Sequence, residues 1–265
     1  MSENSASRLR VATYNVHACV GMDGHRSETR IAEVIASLGV DVIGLQELDL
    51  NRRRSAGIDQ AGLIAERLGW SRFFHPAMRV QDEQYGDAIL SRLPMRLRQA
   101  EELPSVTTFV CPESRSAIWV EIATATGPAQ IINTHLGLGW REKGMQTELL
   151  AGPEWLGQLA PTEPVILMGD FNALPGSRVH RLLSKHLRDT RSFFSPPPRL
   201  RTFPTFLPML AVDHIFVNDR LRAESIGIIR NPLTRIASDH YPLVADLRFT
   251  EETEASAEPE TAHSA

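Results

Sequence analysis

Thiol chemistry is nearly absent from this 265-residue chain: Cys19 and Cys111 are its only cysteines, and they form no motif. The expectation is a pair of reduced thiols in a cytosolic protein, with one disulfide as the arithmetic alternative. Lysine is as scarce. Lys143 and Lys185 stand alone among 28 basic residues, and the other 26 (28 minus 2) are arginine. Arginine suits phosphate geometry, although genomic codon bias accounts for the same ratio. No stretch of 18 apolar residues occurs, which excludes a transmembrane helix. The opening MSENSASRLR lacks an apolar core, so no secretory signal and a cytoplasmic location are expected. An internal linker, a repeat and a low-complexity block are also missing. With 42% hydrophobic residues, the chain can form one large domain with a sizeable core, or two small ones.

A strongly basic body is missing too. The formal net charge is -4, but the tail EETEASAEPETAHSA holds five glutamates and no Lys or Arg. Without it, 28 basic residues face 27 acidic ones (32 minus 5), so the body is near neutral. That counts against a polyanion-binding surface. Residues 1–8 and 250–265 read as disordered ends around a single domain at 9–249.

Within that body, LRVATYN, VDVIGLQE, GDAILS, SAIWVEIAT, AQIINTHL, EPVILMGDFN, AVDHIFVN, AESIGIIRN and YPLVADLRF read as strands. SETRIAEVIASLG and DQAGLIAERLG carry polar starts, apolar residues at helical spacing and glycine stops, so they read as helices. EKGMQTELLAGPEWLGQLA reads as mostly helical, and SRVHRLLSK as a short helix. Strands with hairpin-like neighbours and helices between some of them predict an α/β protein with two packed mixed sheets and outer helices.

Several of these strands begin or end in polar pairs: Asn15 and His17, Gln46 and Glu47, Asn133 and His135, Asp170 and Asn172, Asp213 and His214, Asp239 and His240. Any one pair can be a satisfied edge of the core. Six around one sandwich suggest a shared site. Carboxylate and amide oxygens without cysteine suit a hard cation such as Mg²⁺ or Mn²⁺. A His beside an Asp suits an oriented proton carrier or phosphate contact. Together they describe hydrolysis of a phosphate ester, with Asp170 orienting a water and Asn172 holding a phosphate oxygen. His25, His75, His180, His186 and His263 lack such neighbours and read as surface or structural.

The motifs TYNVH, DVIGLQELD, GDAILSRLP, INTHLG, LMGDFNALP, VDHIFV and SDHYPLVADL resemble, in order and over residues 9–248, the endonuclease/exonuclease/phosphatase superfamily. Its members include pancreatic deoxyribonuclease, abasic-site endonucleases, neutral sphingomyelinases and inositol polyphosphate 5-phosphatases. The resemblance implies a four-layered α/β sandwich with the site at one end of the paired sheets. It implies that Glu47, helped by Asn15, holds metal and that Asp239 is a metal-side carboxylate. Asp170 resembles the water-orienting residue, Asn172 a phosphate and transition-state contact, and His240 the histidine on the scissile phosphate, oriented by Asp213. His135 stands in the place of a residue that contacts phosphate or assists the leaving group. Arg115 matches a structural or phosphate-facing arginine. Trp140, Arg141 and Gln146 follow the His135 strand and can border the substrate, with Gln146 and Met145 equally assignable to the helix.

The chain departs from abasic-site endonucleases at His17, where those enzymes carry a metal-binding Asp. This counts against a second metal and repair-type activity. The pattern is more similar to small bacterial members and to the domain linked to remodelling of glycosylphosphatidylinositol lipids. His17 then faces phosphate, or simply bonds under the loop 18–27. The apolar, Pro-rich segment 193–210 fits a packed lid, a membrane-facing edge or plain core. As an entrance it would offer Phe193, Phe194 and Phe206. The expected activity is Mg²⁺- or Mn²⁺-dependent phosphodiester hydrolysis on a small or lipid-borne substrate, with peripheral membrane contact as one mode. A nuclease of the same mechanism is the alternative, and a non-catalytic scaffold is a third.

Overall fold

A computed structural model describes residues 7–106 and 114–250. The expectations for residues 1–6, for Cys111 and for the acidic tail lie outside these; Cys19 is a buried free thiol.

The strands are β1 (Arg8–Asn15), β2 (Val42–Leu50), β3 (Ser71–Val80), β4 (Glu83–Ser91), β5 (Met95–Leu103), β6 (Arg115–Thr124), β7 (Gly127–His135), β8 (Val165–Asp170), β9 (Arg188–Asp189), β10 (Asp213–Val217), β11 (Leu221–Ile228) and β12 (Leu243–Phe249). They form two six-stranded sheets, ordered β11-β12-β1-β2-β4-β3 and β5-β6-β7-β8-β10-β9. In each, the central pair is parallel, β1 with β2 and β7 with β8, while every other pairing is antiparallel. A parallel pair needs a crossover. Helix α1 (Glu28–Leu38) supplies the first, and α3 (Trp140–Ala151) the second.

Leu9, Val11, Val42 and Ile89 of one sheet meet Ile118, Val120, Ile131, Ile166 and Ile215 of the other in an apolar inner layer. The outer face of the first sheet is covered by α1, α2 (Gln60–Leu68) and α5 (Pro232–Ala237), through Ile31, Ile35, Ile64 and Ala237. The outer face of the second packs Trp119, Leu167 and Phe216 against Leu150 of α3 and Leu183 of α4 (Arg178–Leu183). The result is four layers: helices, sheet, sheet, helices.

The helix signals act as the sequence implies. Ser27 Oγ accepts from Arg30 N, and Asp59 accepts from Gly62 N, at the starts of α1 and α2. Gly39 and Gly69 end them in the left-handed region at φ 63° and 67°. The expected helix through residue 160 stops at Ala151, because Gly152 turns extended and Pro153 cannot continue it. Sequence patterning missed β3, β5, β9 and α5. β3 carries Pro76 at a register shift on a sheet edge. β5 is a charged edge whose Arg96 and Arg98 pair with Glu121.

Candidate active site

The chain ends of the two parallel pairs lie together at one end of the sandwich. Asn15 closes β1, His135 closes β7 and Asp170 closes β8. Asp170 is register-paired with His135 on one side and with Asp213 of β10 on the other. Gly169, at φ 153°, makes this possible: a Cβ there would lie 1.9 Å from the Thr134 carbonyl oxygen.

Glu47 arrives differently. The sequence suggests a strand ending at Gln46–Glu47, but β2 continues to Leu50, and Leu45 and Leu48 pair with Ala88 and Gly86. Two residues thus oppose one, a bulge in which Glu47 adopts φ 64° and its side chain is re-aimed. Asn172 is likewise left-handed, at φ 47°. Uncommon backbone at non-glycine residues clusters at functional sites.

Asp170 is the hub. Its Oδ2 accepts from Asn15 Nδ2 at 3.1 Å, and its Oδ1 from Asn172 N at 2.9 Å. His135 Nε2 and His240 Nε2 each lie 3.6 Å from Oδ2. Asn15 Nδ2 also donates to Glu47 Oε1 at 2.9 Å, tying the bulge to the hub. His240 Nδ1 donates to Asp213 Oδ2 at 2.9 Å, and its ring lies 4.7 Å from that of Phe203. Ser238 Oγ donates to the Asn15 carbonyl at 2.8 Å and accepts from His240 N, fixing the loop that carries Asp239 and His240.

Burial sets the charges. Asp170 is 1% exposed, and burial together with the Asp213 carboxylate pushes it up to about 7. Burial alone would discharge His240, but Asp213 and Asp170 outweigh it and raise the imidazole to about 10, so it is cationic. His135 is held neutral, first by burial and then by the charges of Arg115 and His240. Its Nε2 therefore accepts from Asn172 Nδ2 at 3.1 Å, and the same amide donates to the Leu136 carbonyl at 2.9 Å. Both amide protons of Asn172 are engaged, leaving Oδ1 free to accept.

Other expected residues fall elsewhere. Asn133 and Gln46 form a staple between the sheets: Gln46 Nε2 donates to Asn133 Oδ1 at 2.7 Å, under a glycine, Gly44, whose Cβ would collide with that oxygen. His214 turns to the opposite face and, with His180 and Arg191, surrounds Asp189; His180 thus has a partner that the sequence did not suggest. His17 is exposed and lines a cavity of about 280 Å³ with Glu47, its Nδ1 near the Val20 carbonyl. Arg115 is buried, its charge acting on both His135 and Asp87. Arg141 is exposed beside Trp140, with its guanidinium 5.1 Å from that ring. Phe193 and Phe194 pack against the inner core, and only Phe206 of the three is open, at 64% exposure.

Sequence reasoning missed Lys143. Its Nζ donates to the Asn172 carbonyl at 2.5 Å, and burial lowers its pKa while the Asp170 charge opposes this. The one available signal was that it is one of only two lysines.

A family model for endonuclease/exonuclease/phosphatase proteins matches residues 12–240. The chain belongs to that family. Its members are hydrolases acting on phosphoesters, and the chain is a hydrolase of this superfamily. The uncharacterized protein YbhP of Escherichia coli strain K12 is 28% identical over 257 residues, covering 91% of this chain and 96% of that protein. An endonuclease/exonuclease/phosphatase structure from Beutenbergia cavernae is similar at 21% identity and a TM-score of 0.74, covering 91% of this chain and 72% of that one. The mannosyl-6-phosphatase Bt3783 of Bacteroides thetaiotaomicron is similar at 21% identity and a TM-score of 0.69, covering 91% and 100%. Among the described residues, no helix is long and apolar enough to cross a membrane.

Proposed function

We propose that this family member is a divalent-metal-dependent phosphodiesterase acting on small or lipid-borne phosphodiesters. The observation that carries the reading is Asp170 itself: a buried carboxylate lifted to about 7, with a cationic His240 3.6 Å away. A base poised near neutrality can take a proton from an attacking water. Asn172 Oδ1 would accept a hydrogen bond from the O–H that the water keeps. His240 Nε2, oriented by Asp213, would donate to a phosphate oxygen as charge builds in the transition state. His135 keeps the Asn172 amide in place and borders the leaving group.

The residues present fit a hard cation. Glu47 and Asp239 are partly exposed carboxylates, Glu47 bonded to Asn15 and Asp239 next to Ser238, which bonds the Asn15 carbonyl; Cys19 is a buried thiol that burial keeps protonated, and Asp213 Oδ1 is buried without a hydrogen-bond partner. Glu47, Asn15 and Asp239 would hold Mg²⁺ or Mn²⁺, which when bound would neutralise charge on the phosphoryl group. The triad of Asp170, Asp213 and His240 is compact enough for an ion, but the imidazolium already supplies its positive charge.

Preference for small or lipid-borne esters is supported by apolar side chains standing open on segments joined to the catalytic strands: Leu138 and Trp140 after β7, and Phe206, Leu207 and Met209 before β10. The test is a hydrolysis screen with Mg²⁺ or Mn²⁺ over soluble phosphodiesters, phospholipids, inositol phosphates, DNA and RNA, run with and without chelator. The expected result is ester turnover that chelator abolishes and that Glu47→Ala loses. Full activity in excess chelator removes the metal, and turnover of DNA or RNA alone moves the reading to a nuclease.

A further inference from the structure

Beside the catalytic cleft is a hollow of about 530 Å³ that none of the reaction chemistry uses. Leu174 and Ala211 help line it. Leu174 follows Asn172 by two positions, and Ala211 precedes Asp213 by two. Two residues of chain span at most about 7 Å, so these two lining residues lie within that distance of Asn172 and Asp213, which puts the hollow within reach of an arm attached to the reacting phosphate. Its size is that of a small-molecule site, roughly 300–1,000 Å³.

The lining has two characters. Leu174 and Met209 are open apolar walls, 47% and 58% exposed. Arg191, Arg199, Arg201, His180 and Asp189 supply the polar lining. Asp189 is buried, and its Oδ2 accepts from Arg191 Nη2 at 2.7 Å and from His180 Nε2 at 2.9 Å. His180, Asp189 and His214 have the spacing of metal ligands, but the Arg191 guanidinium already occupies that carboxylate. Three arginines against one carboxylate leave a charge of +2 (3 minus 1). Among the described residues, Arg199 and Arg201 pair with no carboxylate. The hollow is built for an anion.

We propose that it receives the non-reacting arm of the substrate, and that this arm is a small apolar group ending in an anion, a carboxylate or a second phosphate. The inference rests on the phosphodiesterase reading and names the substrate class for it.

The test uses p-nitrophenyl phosphodiesters whose second ester group is methyl, pentyl or 5-carboxypentyl, with Mn²⁺ and the full chain. Each buried methylene is worth about fourfold in an equilibrium constant. The pentyl ester should therefore exceed the methyl ester at least about tenfold in kcat/KM, and a charge-assisted contact should add about tenfold more for the carboxypentyl ester. Arg199→Ala/Arg201→Ala should lose only the carboxylate gain. Leu174→Asn should lose most of the pentyl gain. Both should turn over the methyl ester within about twofold of the parent. A parent enzyme indifferent to the arm, or variants that slow all three esters alike, overturns the proposal. So does faster cleavage of phosphatidylglycerol vesicles than of the carboxypentyl ester, which would assign the hollow to a membrane lipid. If the parent cleaves none of the esters, the phosphodiesterase reading fails, and calorimetry decides the hollow separately. There, 5-carboxypentylphosphonate should bind at least about tenfold tighter than methylphosphonate, and the double arginine variant should lose that margin; equal affinities, or no binding of either, overturn it.

Discussion

The imidazole of His240 is held between two carboxylates, and the electrostatics of the cleft follow from that. Asp213 supplies the hydrogen bond and the larger share of the charge that keeps the ring cationic. An asparagine at 213 keeps the shape and removes the charge. Asp213→Asn should leave circular dichroism unchanged and lower kcat on the order of 10²-fold; a folded variant losing less than about threefold would take His240 out of the reaction. Lys143 is the second decisive side chain. Its ammonium holds the carbonyl of a residue whose left-handed backbone needs outside support. Lys143→Met should lower kcat about tenfold with KM little changed, and Lys143→Arg should recover part of it. Equal rates in all three forms would make the contact incidental.

Among the elements, the edge formed by β9 and the turn after it is the most charge-dependent. Burial alone would raise the Asp189 carboxyl, but hydrogen bonds from His180, His214 and Arg191 outweigh it and hold the group far below its ordinary 3.8. A carboxyl depressed on folding contributes stability above its unfolded value and loses it as pH falls. Stability should thus decline as pH drops through 4 and below. Asp189→Asn should lower unfolding free energy at pH 7 by about 3–5 kcal/mol, because Arg191 is left buried without its counter-charge. It should also flatten the acid limb. Urea unfolding at pH 7 and pH 4 measures both, and coincident midpoints for parent and variant at pH 7 would contradict the account.

For the whole molecule, the balance of charge matters more than any one contact. Outside the tail, 28 basic residues face 27 acidic ones, and many arginines are already paired, as with Arg10–Asp246, Arg30–Asp23 and Arg54–Asp49. Tight duplex binding releases counterions from many phosphates and needs many free cations on one face. Binding of duplex DNA should therefore be weak at physiological salt, with a shallow salt dependence. Fluorescence anisotropy across a salt series tests this; submicromolar affinity with a steep slope would favour the nuclease reading.

Asp170, Asn172, Asp213 and His240 were legible from the chain because each sits where a short apolar run meets a polar residue, a pattern local enough to read. The helix caps at Ser27 and Asp59, and the stops at Gly39 and Gly69, were legible for the same reason. Strand alternation, however, puts neighbours on opposite faces, and only sheet packing decides which face looks into the cleft. It sends Asp213 inward and His214 to Asp189, and it makes Asn133 a staple while its neighbour but one, His135, reaches the hub. A bulge cannot be counted from a run such as GLQELDL, yet it is what aims Glu47. Lys143 meets Asn172 across 29 residues, and His180 meets His214 across 34 (214 minus 180), through helices laid on a sheet. Such contacts follow from how layers settle against one another to exclude water, a property of the assembled volume that no stretch of chain carries alone.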